Sequence, residues 1–343
     1  METPAKKTAV ATPNIALIKY WGRRNIEINL PFNSSLSMTL DYSLSTETTV
    51  TFSKRITSHR ITLDGKTIAL DRGDEKLQKM KVVIDEMLRI GGYSEDFKAD
   101  IYSRNSFPGG VGIASSASGG AALVCAANES LDLDLSKKDL SIMARKISGS
   151  ACRSVLGGIV KWKRGSRKDG SDSYSVMVFG PDYWEELTDL IAIVSEDKKD
   201  IPSSEGHDIT SSTSPLFKLR PSLAEDSIGK AIHSIRAKDF DSLGEIVMKE
   251  SNNMHAAMMD SWPPIMYLND SSRHIMKMIA DLNEAEGRIV AAYTFDAGPN
   301  PHILTLSKNV AMVEEKLRGS GKVRKLLKSK IGNGPRILDG SRL

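Results

Sequence analysis

Residues 105–120 read Asn-Ser-Phe-Pro-Gly-Gly-Val-Gly-Ile-Ala-Ser-Ser-Ala-Ser-Gly-Gly, a strand exit, a glycine loop and a helix start in one run. Gly109, Gly110 and Gly112 let the backbone approach a ligand closely, and a helix opening near Ile113 aims free amides and its positive dipole end at the loop. Such a junction suits a phosphate, with Ser115 and Ser116 placed to touch a phosphate oxygen or a magnesium ion. The same letters equally suit a Gly-Ser loop ahead of an Ala-rich core helix. The run has neither the Gly-Lys-Ser/Thr ending of a Walker loop nor the spacing of a dinucleotide fingerprint.

Outward from this loop, a short strand over 98–103 feeds it. Upstream, a helix is expected from an Asp74 N-cap, with Leu77, Met80, Ile84, Met87 and Leu88 at helical spacing and Gly91-Gly92 at its end. Residues 46–70 alternate as antiparallel strands with Asp64-Gly65 as the turn. Residues 8–20 read as β-structure broken at Pro13-Asn14, Ile15 to Ile18 being apolar enough for burial on both faces and Lys19 emerging at the strand end. Downstream, a helix over 137–147 delivers Ser148 to Ser154, which locally reads as a flexible turn, and strands are expected near 157–162 and 174–179. Gly180-Pro181 precedes a fresh strand at 190–194, so a division into 1–187 and 188–343 is expected. The Ser/Thr-rich segment 198–213 reads as a mobile substrate loop or a solvated linker. Helices around 224–235 and 271–287, strands over 288–295 and 302–306 and a helix over 309–318 complete the second half.

The 343 residues suffice for two cores, and 40% hydrophobic with 26% charged content is that of an ordinary globular protein. Cys125 and Cys152 are too few for a disulfide framework and show no metal spacing. No apolar run approaches the roughly 20 residues of a membrane span, and a cytoplasmic location is expected. A net charge of +4 suits anionic small substrates and equally suits weak nucleic-acid affinity, but no basic patch carries the interleaved aromatics of a nucleic-acid binder, so no nucleic-acid partner is expected. Asp296 ends an apolar strand before Ala-Gly-Pro. On local grounds it is a turn cap; with Lys19, Arg153 and the glycine loop as neighbours it becomes a carboxylate that handles a hydroxyl proton in small-molecule phosphoryl transfer.

Four segments then carry a resemblance: Asn14 to Arg24 (NIALIKYWGRR), Pro31 to Ser37 (PFNSSLS), Ser148 to Ser154 (SGSACRS) and Tyr293 to Asn300 (YTFDAGPN). They resemble the diphosphomevalonate decarboxylase family of the GHMP kinase superfamily, and the likeness runs on through Ser251 to Ala256 and Asp260 to Ile265. The resemblance implies an α+β GHMP kinase fold, with a ribosomal-protein-like N-terminal domain, a ferredoxin-like C-terminal domain and the active site in the cleft between them. It implies an ATP- and Mg2+-dependent decarboxylase of isoprenoid biosynthesis, giving isopentenyl diphosphate from 5-diphosphomevalonate, and a homodimer. Family relatives act on 5-phosphomevalonate, or on mevalonate 3,5-bisphosphate without ATP, and both stay open as alternatives.

Carried onto this sequence, the resemblance makes Asp296, Lys19 and Arg153 catalytic and Tyr20, Arg23, Ser148, Ser150 and Ser204 substrate-binding. It places the nucleotide on Asn105, Pro108, Gly109, Gly110, Gly112, Ser115 and Ser116, with Ser116 as the magnesium ligand. The sequence departs from the family pattern at Gly109-Gly110-Val111, at Gly120 where a tyrosine is common, at Arg23 for lysine and at His207 for methionine.

Overall fold

The computed structural model describes residues 3–63, 65–107, 115–197 and 199–338. Pro108, Gly109, Gly110 and Gly112 of the expected nucleotide loop, and Asp64 of the expected turn, lie outside the described residues.

Among the described residues three large sheets and a two-stranded ribbon of Arg23–Asn25 with Leu30–Pro31 carry the chain. In the first, strand Thr46–Ser53 lies between Lys7–Ala11 and Lys98–Asn105, antiparallel to both, and the hairpin Arg60–Leu63 and Lys66–Ala69 extends the edge, its first strand running parallel to Lys98–Asn105. The second sheet is antiparallel, in the order Ser175–Phe179, Ile159–Trp162, Ser35–Thr39, Asn14–Ile18. The third is antiparallel too, in the order Ala291–Thr294, His302–Leu306, Leu187–Ile193, Lys325–Lys330. The last described strand, Arg336–Leu338, returns to pair with Lys7–Ala11.

Helices Glu75–Ile90, Ser115–Ser130 and Lys137–Ile147 cover the first sheet, and Phe52, Ile101, Met87, Val124 and Ile147 meet in the core between. Asp74 caps the first of these helices by accepting from the Leu77 amide, as the sequence indicates. The alanines of helix Ser115–Ser130 permit close packing: a Cβ at Gly120 would stand 2.9 Å from the Ala151 methyl, so the site favours glycine for its space. A second core joins the two halves of the chain, bringing Ile15, Leu17 and Leu36 against Ile191, Ile228, Leu243 and Leu304. All five residues of Asn14–Ile18 are buried, which is why that strand reads as a continuous apolar run.

Two local expectations are corrected. The Ser/Thr-rich segment is no mobile loop or linker over its second part: Ser203–Thr213 is a helix whose Gly206, His207 and Thr210 are buried. Its hydroxyls satisfy themselves by bonding back to the preceding turn, Ser212 and Thr213 onto the carbonyls of Asp208 and Ile209, so polarity here is compatible with helix. Residues 151–154 are a short buried helix rather than a flexible turn. The long helix Phe240–Met259 buries Leu243, Val247, Glu250, Ser251, Met254 and Met258 along one face, and the polar Glu250 and Ser251 within that stripe interrupt its apolar pattern in the sequence.

Candidate active site

Strand Asn14–Ile18 of the second sheet ends at Lys19, and strand Ala291–Thr294 of the third ends two residues before Asp296. The two side chains meet where the sheets abut: Lys19 Nζ donates to Asp296 Oδ1 at 2.7 Å. Lys19 is 1% exposed and its backbone is held on every side. Its amide donates to Glu250 Oε2 at 3.0 Å, and its carbonyl accepts from Asn33 Nδ2 at 3.0 Å and Arg220 Nη2 at 3.2 Å. Arg220 and Glu250 are themselves a buried ion pair at 3.0 Å. Neither stands out in the sequence as a site residue; only the packing of helices Arg220–Ala237 and Phe240–Met259 brings them under the strand end.

Burial works to raise the Asp296 carboxyl, but Lys19, His302 and Arg153 outweigh it and hold the group below the usual carboxylate range. Burial pulls the Lys19 ammonium below its ordinary value against the opposing charges of Asp296 and Glu250. Arg153 lies in the short helix Ala151–Ser154, 3% exposed, its Nε donating to Asn14 Oδ1 at 2.9 Å and its Nη1 to Ser35 Oγ at 2.7 Å. Among the described residues its Nη2 has no acceptor and Arg153 borders the cleft. Arg153 acts on Asp296 through space, without a hydrogen bond between them.

These groups line a cavity of about 750 Å³ that also takes in Tyr20, Arg23, Ser115, Ser116, Ser148, Ser150 and Ser204. The hydroxyls of Ser116, Ser148 and Ser150 cluster, with Ser148 Oγ 3.5 Å from Ser116 Oγ and 3.4 Å from Ser150 Oγ. The helix that carries Ser115 and Ser116 and the turn after helix Lys137–Ile147 thus converge. Asn105 is not in the cavity lining; its Oδ1 accepts from Thr46 Oγ1 at 2.7 Å. Arg23 borders the cavity with all its donors engaged: Nε and Nη2 fork onto Asp208, Nη1 reaches Asn29 Oδ1 at 3.1 Å and Glu75 Oε1 at 3.0 Å, and Nη2 meets the Ser204 carbonyl at 3.2 Å. A phosphate at Arg23 must therefore displace a protein acceptor.

Lys76 and Lys79, one turn apart on helix Glu75–Ile90, and Lys199 complete the lining. Six cationic side chains thereby face three carboxylates, Asp74, Glu75 and Asp296. The lysines at 76 and 79 escape a sequence reading because i, i+3 cations on a helix read as a solvated face. The mild net charge also hides them, since it is the cleft that concentrates the positive groups. Among the described residues no three His, Cys, Asp or Glu side chains gather as a metal cage, and no helix is long and apolar enough to cross a membrane. The donor set does fit a magnesium ion held mainly by phosphate oxygens, with one hydroxyl such as that of Ser116 from the protein.

Cations, hydroxyls and an ionised carboxylate in a cleft between two α+β halves define an enzyme that handles a small polyanion. Comparison with known proteins gives the family. Residues 11–175 match the family model of the diphosphomevalonate decarboxylase-like N-terminal domain, and residues 189–320 that of the mevalonate 5-diphosphate decarboxylase C-terminal domain. The diphosphomevalonate decarboxylase of Aspergillus fumigatus is 42% identical over 334 residues, covering 91% of this chain and 79% of its own length. The crystal structure of mevalonate diphosphate decarboxylase from Staphylococcus aureus superposes with a TM-score of 0.89 at 34% identity, covering 97% of this chain and 98% of that one. A structure described as MDDEF in complex with MVAPP, AMPPCP and magnesium gives 0.87 at 34%, covering 98% and 99%. The chain belongs to the diphosphomevalonate decarboxylase family, and its fold is the GHMP kinase fold that the sequence resemblance implies.

Proposed function

We propose that this protein is an ATP-dependent decarboxylase that converts 5-diphosphomevalonate to isopentenyl diphosphate, CO2, ADP and phosphate. The observation that carries the reading is the Lys19–Asp296 pair, 2.7 Å apart at the floor of a cationic cleft beside the open edge of Arg153. Relatives that share the whole fold are diphosphomevalonate decarboxylases, one of them captured with MVAPP, AMPPCP and magnesium.

In this reading the tertiary C3 hydroxyl lies against Asp296. The carboxylate, held ionised by Lys19 and Arg153, orients the hydroxyl and takes its proton as the γ-phosphate of ATP is transferred to the oxygen; a loose transition state asks little of the base before the new bond forms. Arg153 grips the substrate carboxylate through Nη2, its remaining fork fixed by Asn14 and Ser35. The C1–C2 bond then breaks, its electron pair forms the C2=C3 double bond, and the C3–O bond breaks to release phosphate. Asp296 passes the hydroxyl proton on to solvent, a release that its Lys19 and Arg153 neighbours favour, and the regenerated carboxylate stabilises positive charge developing at C3. Tyr20, Arg23, Ser148, Ser150 and Ser204 line the path of the phosphate-bearing chain, and Ser115 and Ser116 serve the nucleotide. Magnesium, held by Ser116 and phosphate oxygens, would neutralise charge on the transferring group. Asn105, at the end of strand Lys98–Asn105, is engaged by Thr46 of the neighbouring strand and plays no direct part in this reading. The division near residue 187, a cytoplasmic location and a homodimer belong to the same reading and are supported by the family resemblance.

The test incubates the protein with 5-diphosphomevalonate, 5-phosphomevalonate and mevalonate 3,5-bisphosphate, each with and without ATP and magnesium. Stoichiometric CO2 and ADP from the diphosphate alone is the expected result. CO2 from the bisphosphate without ATP would overturn it.

A further inference from the structure

We propose that His207 is a substrate-positioning residue: a neutral imidazole that presents Nε2–H to an anionic oxygen of the substrate beside Tyr20, Arg23 and Ser204. The inference rests on the substrate class given above. His207 lies on helix Ser203–Thr213, is 8% exposed and borders the cleft. Its Nδ1 is 2.8 Å from the amide nitrogen of Gly22. A backbone amide only donates, so Nδ1 is the acceptor and carries no proton; the single proton of the neutral ring sits on Nε2.

The surroundings keep that arrangement. Gly22 has φ +83° and a Cβ there would stand 2.2 Å from the Phe217 ring, so its amide is fixed by a backbone that suits glycine alone. The imidazole stacks on Trp21 at 4.0 Å and lies 4.5 Å from the Tyr20 ring, which hinders a flip. Burial and the nearby Arg23 charge, against a weaker pull from Asp296, lower its pKa to about 3, so the ring is neutral at working pH. Nε2 has no acceptor among the described residues. Nε2 is not among the buried unpartnered polar atoms, so it opens onto the cleft that His207 lines, and a donor held in one direction there is placed to meet an anionic oxygen of the ligand. A neutral donor adds direction without adding charge, in a region where Arg23 already spends its donors on protein acceptors.

The experiment uses the full chain labelled with 15N-histidine. Long-range nitrogen–proton spectra of the free protein are expected to show His207 unprotonated at Nδ1 and protonated at Nε2, and 5-diphosphomevalonate is expected to shift the Nε2–H resonance. Mevalonate and inorganic pyrophosphate, added separately, distinguish the carboxylate from the phosphates as the acceptor. In steady-state assays His207→Met is expected to raise KM for 5-diphosphomevalonate about tenfold or more, with kcat affected less, and His207→Gln to restore part of the loss through its amide donor. An Nδ1–H tautomer, an Nε2–H resonance unmoved by a substrate that the wild type turns over, or an unchanged KM in His207→Met would overturn the proposal. If His207→Met does not fold, the wild-type spectra decide. Failure of the wild type to turn over 5-diphosphomevalonate would instead count against the substrate class and leave the tautomer finding standing.

Discussion

Lys19 Nζ and Asp296 Oδ1 lie 2.7 Å apart although 277 positions separate them in the chain. Each is the other's counterion, Lys19 buried and Asp296 opening onto the cleft, so removing one changes the state of the other. Asp296→Asn is expected to lower kcat by about 10³-fold or more, within the range of lost acid–base and electrostatic terms, and to let Lys19 give up its proton. Product release followed by CO2 and ADP, with far-UV circular dichroism to verify folding, checks this; turnover near wild type would refute the role of Asp296.

Glu250 governs Lys19 from beneath, through the amide bond and through its charge. Lys19 is already below its ordinary value, so activity that needs the ammonium is present below that lowered pKa and is lost as pH rises through it. Glu250→Gln keeps an acceptor for the Lys19 amide but removes the charge that supports the ammonium. The alkaline limb of the kcat profile is expected to move toward lower pH in this variant. An unmoved limb with only a stability loss would reduce Glu250 to a structural role.

Asp208 competes with any phosphate for Arg23. Because its carboxylate forks onto the guanidinium, Asp208→Asn is expected to weaken that hold and lower KM for the phosphorylated substrate by about 3- to 10-fold. The same change should cost stability, on the order of 1–3 kcal/mol for charge-assisted bonds lost between strand Arg23–Asn25 and helix Ser203–Thr213. Titration of KM against urea midpoint in the single variant checks both. A higher KM would show that Asp208 pre-positions Arg23 rather than competing for it.

Buried histidines contribute to the acid sensitivity of the fold: His59 is lowered by burial, and His207 and His255 further. His207 and His255 are each lowered to about 3, by burial first and by neighbouring cations next, whereas the unfolded imidazole titrates near 6.5. The unfolded state binds the extra protons, so the stabilisation is complete above pH 6.5 and is lost as pH falls toward 3. At pH 5 the loss is roughly 2 kcal/mol per histidine. Urea midpoints between pH 7 and 5 should therefore fall, and His255→Gln should remove its own share of that fall, roughly 2 kcal/mol by pH 5.

What the sequence determined by itself was local. Asn14–Ile18 had to be a buried strand because it is apolar at every position but its first, and Asp74 had to cap a helix because the periodic residues begin three positions on. The motif segments named the family and placed Lys19, Arg153 and Asp296 at the ends of elements, where side chains can face a cleft. Tertiary structure alone decided which of these groups touch and which are spent. Arg23 is cationic in any reading, but only the approach of helix Ser203–Thr213 shows its donors taken by Asp208. Glu250 and Arg220 carry no local signal, since their role is to converge, with Asn33 of the PFNSSLS segment, on the backbone of Lys19 from separate parts of the chain. His207 acquires its tautomer from an amide 185 positions away. Local patterns are set by interactions within a few residues, whereas a site's protonation and its free donors are set by neighbours that packing brings from anywhere in the chain.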